Sequence, residues 1–322
     1  MITVVKPGLL TTVQDLGRFH YQKYGVVVGG ALDTFAHRMA NLLVGNDEAE
    51  ATLEITLLGP TLFFEQEGVV AICGGDLLPT IDGTAVASWK AHYVKKGSMV
   101  KFGPLRKGCR AYLAISGGFT VPNIMESKST YLRGKIGGYQ GRALRAGDRL
   151  AVGNATVSSE KFQKLRNIFI SSSYLKQQKV LRLMKGPHFN LFTVKSQTQL
   201  WNEPFHVTTQ SDRMGYRLQG PSLQKTHQAE CLSEAVCFGT LQVPPDGNPI
   251  ILLADRQPTG GYPVIGQIAS IDLPVIAQCK PGDVLSFQEI SREEAQRLYL
   301  EKEQHIQCIK QGILMKLQEG AE

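Results

Sequence analysis

A chain of 322 residues has room for two domains, and its charged fraction of 20% with ordinary apolar content excludes a disordered segment or a long coiled coil. Lys and Arg outnumber Asp and Glu 35 to 28, a formal charge of +7. Apart from a modest patch at Lys161 to Lys179 the excess is dispersed, which points weakly to anionic partners and does not build the basic, aromatic-interleaved face of a nucleic-acid binder. The cysteines (Cys73, Cys109, Cys231, Cys237, Cys279 and Cys308) are scattered without a C-x-x-C. Met1 to Pro7 lacks the charged start and apolar core of a signal peptide, and no apolar run approaches the roughly 20 residues that span a bilayer. The expectation is a cytoplasmic protein, without membrane attachment, most of whose reduced thiols serve as core residues.

In chain order, Gly8 to Gly30 carries short β-prone runs split by glycines, with Gln14, Asp15 and Arg18 gathered where Gly17 turns the chain. These three are candidate binding residues, although Asp15 and Arg18 are also spaced to pair with each other. Asp33 reads as the N-cap of a helix whose Phe35, Met39, Leu42 and Leu43 share an apolar face, with Gly45 as its stop. From Leu53 to Val152, apolar runs such as Val69 to Cys73 and Ala111 to Ile115 alternate with glycine breaks, the spacing of a β-barrel or sandwich. Asp82-Gly83 predicts a hairpin turn. Asn154 to Gln178 is polar and reads as a linker, with Ile168-Phe169-Ile170 as its one apolar run.

The second half replays the first. Leu58-Gly59-Pro60 and Lys185-Gly186-Pro187 each follow an apolar run. Val100 to Leu105 aligns with Val236 to Leu241, Ala111 to Phe119 with Ile250 to Tyr262, and Ala146 to Leu150 with Pro281 to Leu285. Four markers in one order predict duplication of a β-rich unit. The expected organisation is a first β domain at 1–155 with the N-terminal motif and helix, a linker at 156–178, a second β domain at 179–290 and a C-terminal helix at 291–322. Ser291 with Glu294 caps that helix, and Leu298, Tyr299, Ile306, Ile309, Ile313 and Leu317 form an apolar stripe suited to docking.

Common nucleotide and metal signatures are missing from the sequence: no G-x-x-x-x-G-K-[ST], no G-x-G-x-x-G opening a helix, and no histidine pair at ligand spacing beside an acid. Ala114 to Gly118 only half resembles a nucleophile elbow. The chemistry collects on two stretches of the second half. One carries Asp212, Arg213, Tyr216 and Arg217; the other runs from a buried-strand pattern at Ile250 into Asp255, Arg256, Gln257, Thr259, Gly260, Gly261 and Tyr262. Arginine recognises carboxylate or phosphate through two bonds, glycine exposes backbone N–H groups, and a desolvated acid can carry a proton. The set suits a small anionic substrate reacting at a carbonyl, and it equally suits a structural Asp–Arg network.

The motifs Thr11 to Arg18, Gly30 to Asp33, Ala40 to Asn46, Leu53-Glu54, Ser211 to Leu218 and Thr259 to Pro263 resemble, in order, those of the 5-oxoprolinase C-subunit family (PxpC). That family is also known as KipA or allophanate hydrolase subunit 2, and is related to the carboxyltransferase part of urea carboxylase. Departures fall at Phe19-His20, where a glycine is expected, and at Val27-Val28-Gly29, where proline and serine are common. The resemblance implies a mainly β fold of two tandem cyclophilin-like β-barrel domains with a few helices. It implies an ATP-dependent 5-oxoprolinase that opens 5-oxo-L-proline to L-glutamate. Such a chain works with two partners, a LamB/YcsF-type protein and a KipI-like protein, with ATP held somewhere in the complex.

On that footing Arg213 and Arg217 are expected to clamp the substrate's charge and Asp212 or Asp255 to handle a proton. Tyr216, Gln257, Thr259, Gly260, Gly261 and Tyr262, with Gln14, Asp15 and Arg18, are expected to contact substrate. No metal is expected. Two alternatives stand beside this: a regulator that binds and antagonises a KipI-like kinase inhibitor, and a component of a biotin-dependent carboxyltransferase.

Overall fold

A computed structural model describes residues 1–171, 179–227 and 231–318. The fold is mainly β, as expected, and the chain divides into two compact units.

The first unit takes in residues 1–18, 29–171 and 305–318. Its strands are β1 (Ile2–Lys6), β2 (Leu10–Gln14), β3 (Thr52–Thr56), β4 (Thr61–Phe64), β5 (Gly68–Asp76), β6 (Thr80–Ile81), β7 (Thr84–Ala85), β8 (Ala91–Val94), β9 (Met99–Lys101), β10 (Lys107–Ile115), β11 (Phe119–Thr120) and β12 (Arg149–Val152). They make two sheets, in the orders β11-β12-β1-β4-β9-β6-β7 and β2-β3-β10-β5-β8. The period-2 alternation of a strand decides what each face buries. Val70 and Ile72 of β5 join Ile2, Val4, Leu62 and Phe64 in one core, while Val69, Ala71 and Cys73 face the helix α1 (Thr34–Leu43) through Met39, Leu42 and Leu43.

Local signals behave as their chemistry requires. Asp33 caps α1 by accepting from the Ala36 N–H, and Asp82-Gly83 takes positive φ at both positions as a primed hairpin turn demands. The stretch read as linker, 156–178, carries the helix α2 (Ser159–Leu165), with Val157, Leu165 and Ile170 buried against the α1 face. Three apolar residues so widely spaced leave no periodicity to read. The end of that stretch, 172–178, lies outside the described residues, as do the last residues of the expected C-terminal helix, 319–322.

The second unit takes in residues 19–28, 179–227 and 231–304. Its strands are β13 (Val180–Lys185), β14 (Phe205–Val207), β15 (Gly215–Gln219), β16 (Glu234–Ala235), β17 (Thr240–Gln242), β18 (Ile250–Leu252), β19 (Thr259–Gly260), β20 (Val264–Ile268) and β21 (Val284–Glu289). Seven of them close a barrel, β13-β20-β17-β18-β15-β14-β21, and β16 pairs with β19 outside it. Its helices are α3 (Val194–Asn202), capped by Thr193, and α4 (Leu273–Ala277). The helix α5 (Arg292–Gln318) begins in this unit, and its Ile306 and Ile313 are buried in the first.

One sequence marker of duplication has a geometric counterpart. In the first unit Val4 N–H donates to the Asp148 carbonyl and Gly147 N–H to the Val4 carbonyl, each at 2.8 Å. In the second, Val207 N–H donates to Asp283 and Gly282 N–H to Val207, each at 2.9 Å. Asp148 and Asp283 each accept from the backbone N–H three residues earlier, at 2.7 and 2.8 Å.

Candidate functional site

The two loops singled out in the second half are tied together at their bases. β15 pairs with β18, and beyond this ladder Leu253 N–H reaches the Met214 carbonyl and Asp255 N–H the Arg213 carbonyl, both at 2.9 Å. This backbone register brings the side chains of Arg213 and Asp255 face to face. The guanidinium donates from Nε to Oδ2 at 3.0 Å and from Nη2 to Oδ1 at 2.9 Å, and both residues are buried. A fork-to-fork pair of this kind satisfies both charges inside a dry environment.

The neighbours divide sharply by exposure. Asp212 is exposed, and its Oδ1 accepts from Met214 N–H at 2.8 Å and Gly215 N–H at 3.3 Å, so it shapes the turn that delivers Arg213. Tyr216 faces inward, its hydroxyl donating to the Cys279 carbonyl at 2.9 Å; Arg217, one residue on, is exposed by strand alternation. Arg256, read as a loop residue, is buried instead: Nε donates to the Val236 carbonyl at 3.1 Å and Nη1 to the Leu253 carbonyl at 3.2 Å. Desolvation by burial pushes its guanidinium below the usual value.

Gln257, Thr259, Gly261 and Tyr262 form an exposed return limb. Thr259 and Gly260 are held by pairing with Ala235 and Glu234, and the Tyr262 carbonyl accepts from buried Gln242 Nε2 at 3.0 Å. A Cβ at Gly260 would lie 2.6 Å from Gln242 Nε2, so any side chain there would displace the end of Gln242.

Residues that sequence reasoning passed over stand beside this limb. His188 follows β13 through Gly186-Pro187, and its backbone N–H donates to the Val264 carbonyl at 3.1 Å. Its Nδ1 accepts from the Val264 N–H at 3.1 Å and lies 3.6 Å from Glu234 Oε1. No metal-ligand spacing marks this histidine; the signal that singles it out is its place directly after a strand and a Gly-Pro.

In the first unit, Gln14, Asp15 and Arg18 form a different kind of cluster. Asp15 Oδ1 accepts from Gly17 N–H at 2.8 Å, Ser127 Oγ at 2.8 Å and Ser129 Oγ, while Oδ2 accepts from Lys128 N–H at 2.6 Å. Asp15 N–H in turn donates to Ser129 Oγ at 2.9 Å. Arg18, wholly buried, donates to the carbonyls of Ile124 at 2.9 Å and Ser129 at 3.0 Å, and Gln14 Nε2 reaches the Thr130 carbonyl at 3.1 Å. All three hold the 124–130 segment in place. Ser127, Ser129 and Thr130 carry no motif that would have marked them.

This pairing of a closed barrel with a second, two-sheet unit is shared with known proteins. The carboxyltransferase domain family, subdomain A and B, matches residues 24–289, and the chain belongs to that family. Within it, the chain is 36% identical to the C subunit of 5-oxoprolinase from Haemophilus influenzae, over 96% of this chain and 98% of that one. It is 40% identical to the corresponding 5-oxoprolinase protein of Escherichia coli over 92% and 93%. A crystal structure of the K. lactis urea amidolyase superposes with a TM-score of 0.87 at 30% identity, over 96% of this chain and 20% of that much longer one.

Proposed function

We propose that this chain is one component of a cytoplasmic, ATP-dependent 5-oxoprolinase, acting with a LamB/YcsF-type partner and a KipI-like partner to open 5-oxo-L-proline to L-glutamate. The observation that carries this is the identity of 36 and 40% running over nearly the whole of two proteins, each named as the C subunit of 5-oxoprolinase.

The chemistry asks for help beyond one polar cluster. An unstrained lactam is a poor electrophile, and ATP supplies the activation by making its carbonyl oxygen a leaving group. The residues of this chain do not fit a nucleotide phosphate at the glycine-led helix start: Gly29-Gly30 leads into α1, whose first turn is already filled by the Asp33 carboxylate. In this reading ATP is held elsewhere in the complex. Arg213 and Asp255 neutralise one another, so in this reading they position the two loops. Contact with substrate falls to the more accessible groups: Asp212, Arg217, Gln257, Thr259, the Gly260-Gly261 backbone and Tyr262.

The test is glutamate release from 5-oxoproline and ATP by the chain with and without its two partners. Activity confined to the full set supports the proposal; a stable complex with the KipI-like partner and no turnover favours the regulatory alternative. A second reading, a biotin-dependent carboxyltransferase component, draws on the family match and the urea amidolyase likeness. It requires a biotinylated partner, and avidin would then abolish activity.

A further inference from the structure

We infer that one edge of the first unit, built around Leu9 and Leu58, docks a partner protein whose surface presents an acidic rim around an apolar recess. This deepens the reading of the chain as one component of an assembly, and rests on it.

The apolar part is exposed and stiffly held. Leu9 is 63% exposed and Leu58 53%, and Leu9 N–H donates to the Leu58 carbonyl at 2.9 Å, so the two are neighbours. Gly8 makes that crossing possible: its φ is +75°, and a Cβ there would lie 2.3 Å from the Leu58 carbonyl oxygen. Gly59 lies against Phe102, and Gly103 N–H donates to the Leu77 carbonyl at 2.7 Å, which carries the edge on to Leu78, 38% exposed. Leu57 and Leu78 hold φ of 59° and 46°, a region unfavourable to any residue with a Cβ. Backbone strain and exposed leucine thus coincide at one edge, which is where a binding surface is to be sought.

The charge around these leucines is mainly of one sign. Strand register sets Lys6 opposite Thr61 and Thr61 opposite Lys101, directly after Leu58-Gly59-Pro60. Lys107 lies opposite Asp76. The stretches 5–14, 56–64 and 99–111 hold no Asp or Glu. Two carboxylates border the edge and both are occupied: Asp76 by Arg106 and the Leu78 N–H, Asp82 by the Met99 N–H at 2.7 Å. Lys6, Lys101 and Lys107 are left without an ion pair among the described residues.

That combination selects the occupant. A second copy of this chain, docked about a two-fold axis, would set these lysines against their own counterparts. An anionic membrane calls for interfacial Trp or Tyr, absent from all three stretches, and for a cluster of about four to eight cations. A protein with carboxylates around an apolar recess meets both parts, and the rigid turn keeps the ordering cost of docking low.

The experiment measures binding of the full chain to the KipI-like and the LamB/YcsF-type partner in turn, for wild type, Leu58→Ala, the double variant Lys6→Glu with Lys101→Glu, and Val194→Ala, an exposed control in the second unit. Leu58→Ala is expected to weaken one of the two complexes about tenfold. The charge reversal should slow association with that same partner at low salt, with the difference closing at high salt. Val194→Ala should bind as wild type does. The substituted side chains are all exposed, and unchanged urea midpoints establish that the variants are folded. Affinities and rates within about twofold of wild type for both partners, in a complex that forms and turns over, overturn the inference alone. Wild type that binds neither partner overturns the functional reading and the inference with it. Sedimentation with phosphatidylserine vesicles that the charge reversal abolishes, while partner binding stays intact, makes the edge a membrane face and also overturns the inference.

Discussion

The guanidinium of Arg213 and the carboxylate of Asp255 meet through two parallel hydrogen bonds of 2.9 and 3.0 Å while their backbones are joined by a third at 2.9 Å. Each loop is thereby held by its neighbour's charge. Removing one partner strands the other in a buried site, at a cost of about 3–5 kcal/mol. Arg213→Ala and Asp255→Ala are each expected to lower stability by that amount in chemical denaturation. Arg213→Met with Asp255→Leu together should cost less than either alone. Additive losses would show that the pair is not coupled.

A second expectation concerns acid. His37 is wholly buried, its ring 2.9 Å from Thr52 Oγ1, and desolvation lowers its pKa from 6.5 to about 4. The unfolded chain therefore binds this proton more readily than the folded one, and stability falls as pH drops from about 6.5 towards 4. The loss amounts to roughly 3 kcal/mol by pH 4. Urea midpoints across that range should show the slope in the wild type and lose most of it in His37→Gln, whatever that variant's absolute stability.

Ser129 bonds Asp15 twice, accepting from its N–H and donating to its carboxylate. Ser129→Ala leaves a buried N–H and a buried carboxylate each short of a partner, a cost of about 1–3 kcal/mol. Protection of the 124–130 amides against hydrogen exchange should drop with it, since Arg18 and Gln14 hold the same segment. Unchanged protection would remove Asp15 as its anchor.

Gly186→Ala is expected to destabilise the second unit by about 1–3 kcal/mol, because the added methyl meets backbone of Val264 and Gly266 rather than a movable side chain. Gly312→Ala, at a position with no positive φ and whose Cβ would meet nothing within 4 Å, is the comparison and should not destabilise.

Features that depend on near neighbours were legible in the chain. Asp33 caps α1, Ser291 accepts from Glu294 N–H at the start of α5, and Asp82-Gly83 makes its turn, because each answers to residues within one turn of backbone. The Asp212 and Ile250 stretches could likewise be recognised as concentrations of chemistry. Whether those charges face substrate or each other could not be read, for Arg213 and Asp255 lie 42 positions apart and Asp15 and Ser129 lie 114 apart.

By itself, then, the sequence determined a mainly β chain of the carboxyltransferase domain family, with its caps, its turns and the two loops where polar groups collect. Strand register decided the rest. The β15–β18 ladder turned Arg213 and Asp255 into a mutual brace, and alternation along β15 sent Tyr216 inward and Arg217 out. The close approach of Gly186 to Val264 drew His188 into view. Hydrogen bonding between strands acts at a distance in sequence that no local pattern encodes, and it is this that sorts the same polar residues into those spent on the fold and those left for a ligand.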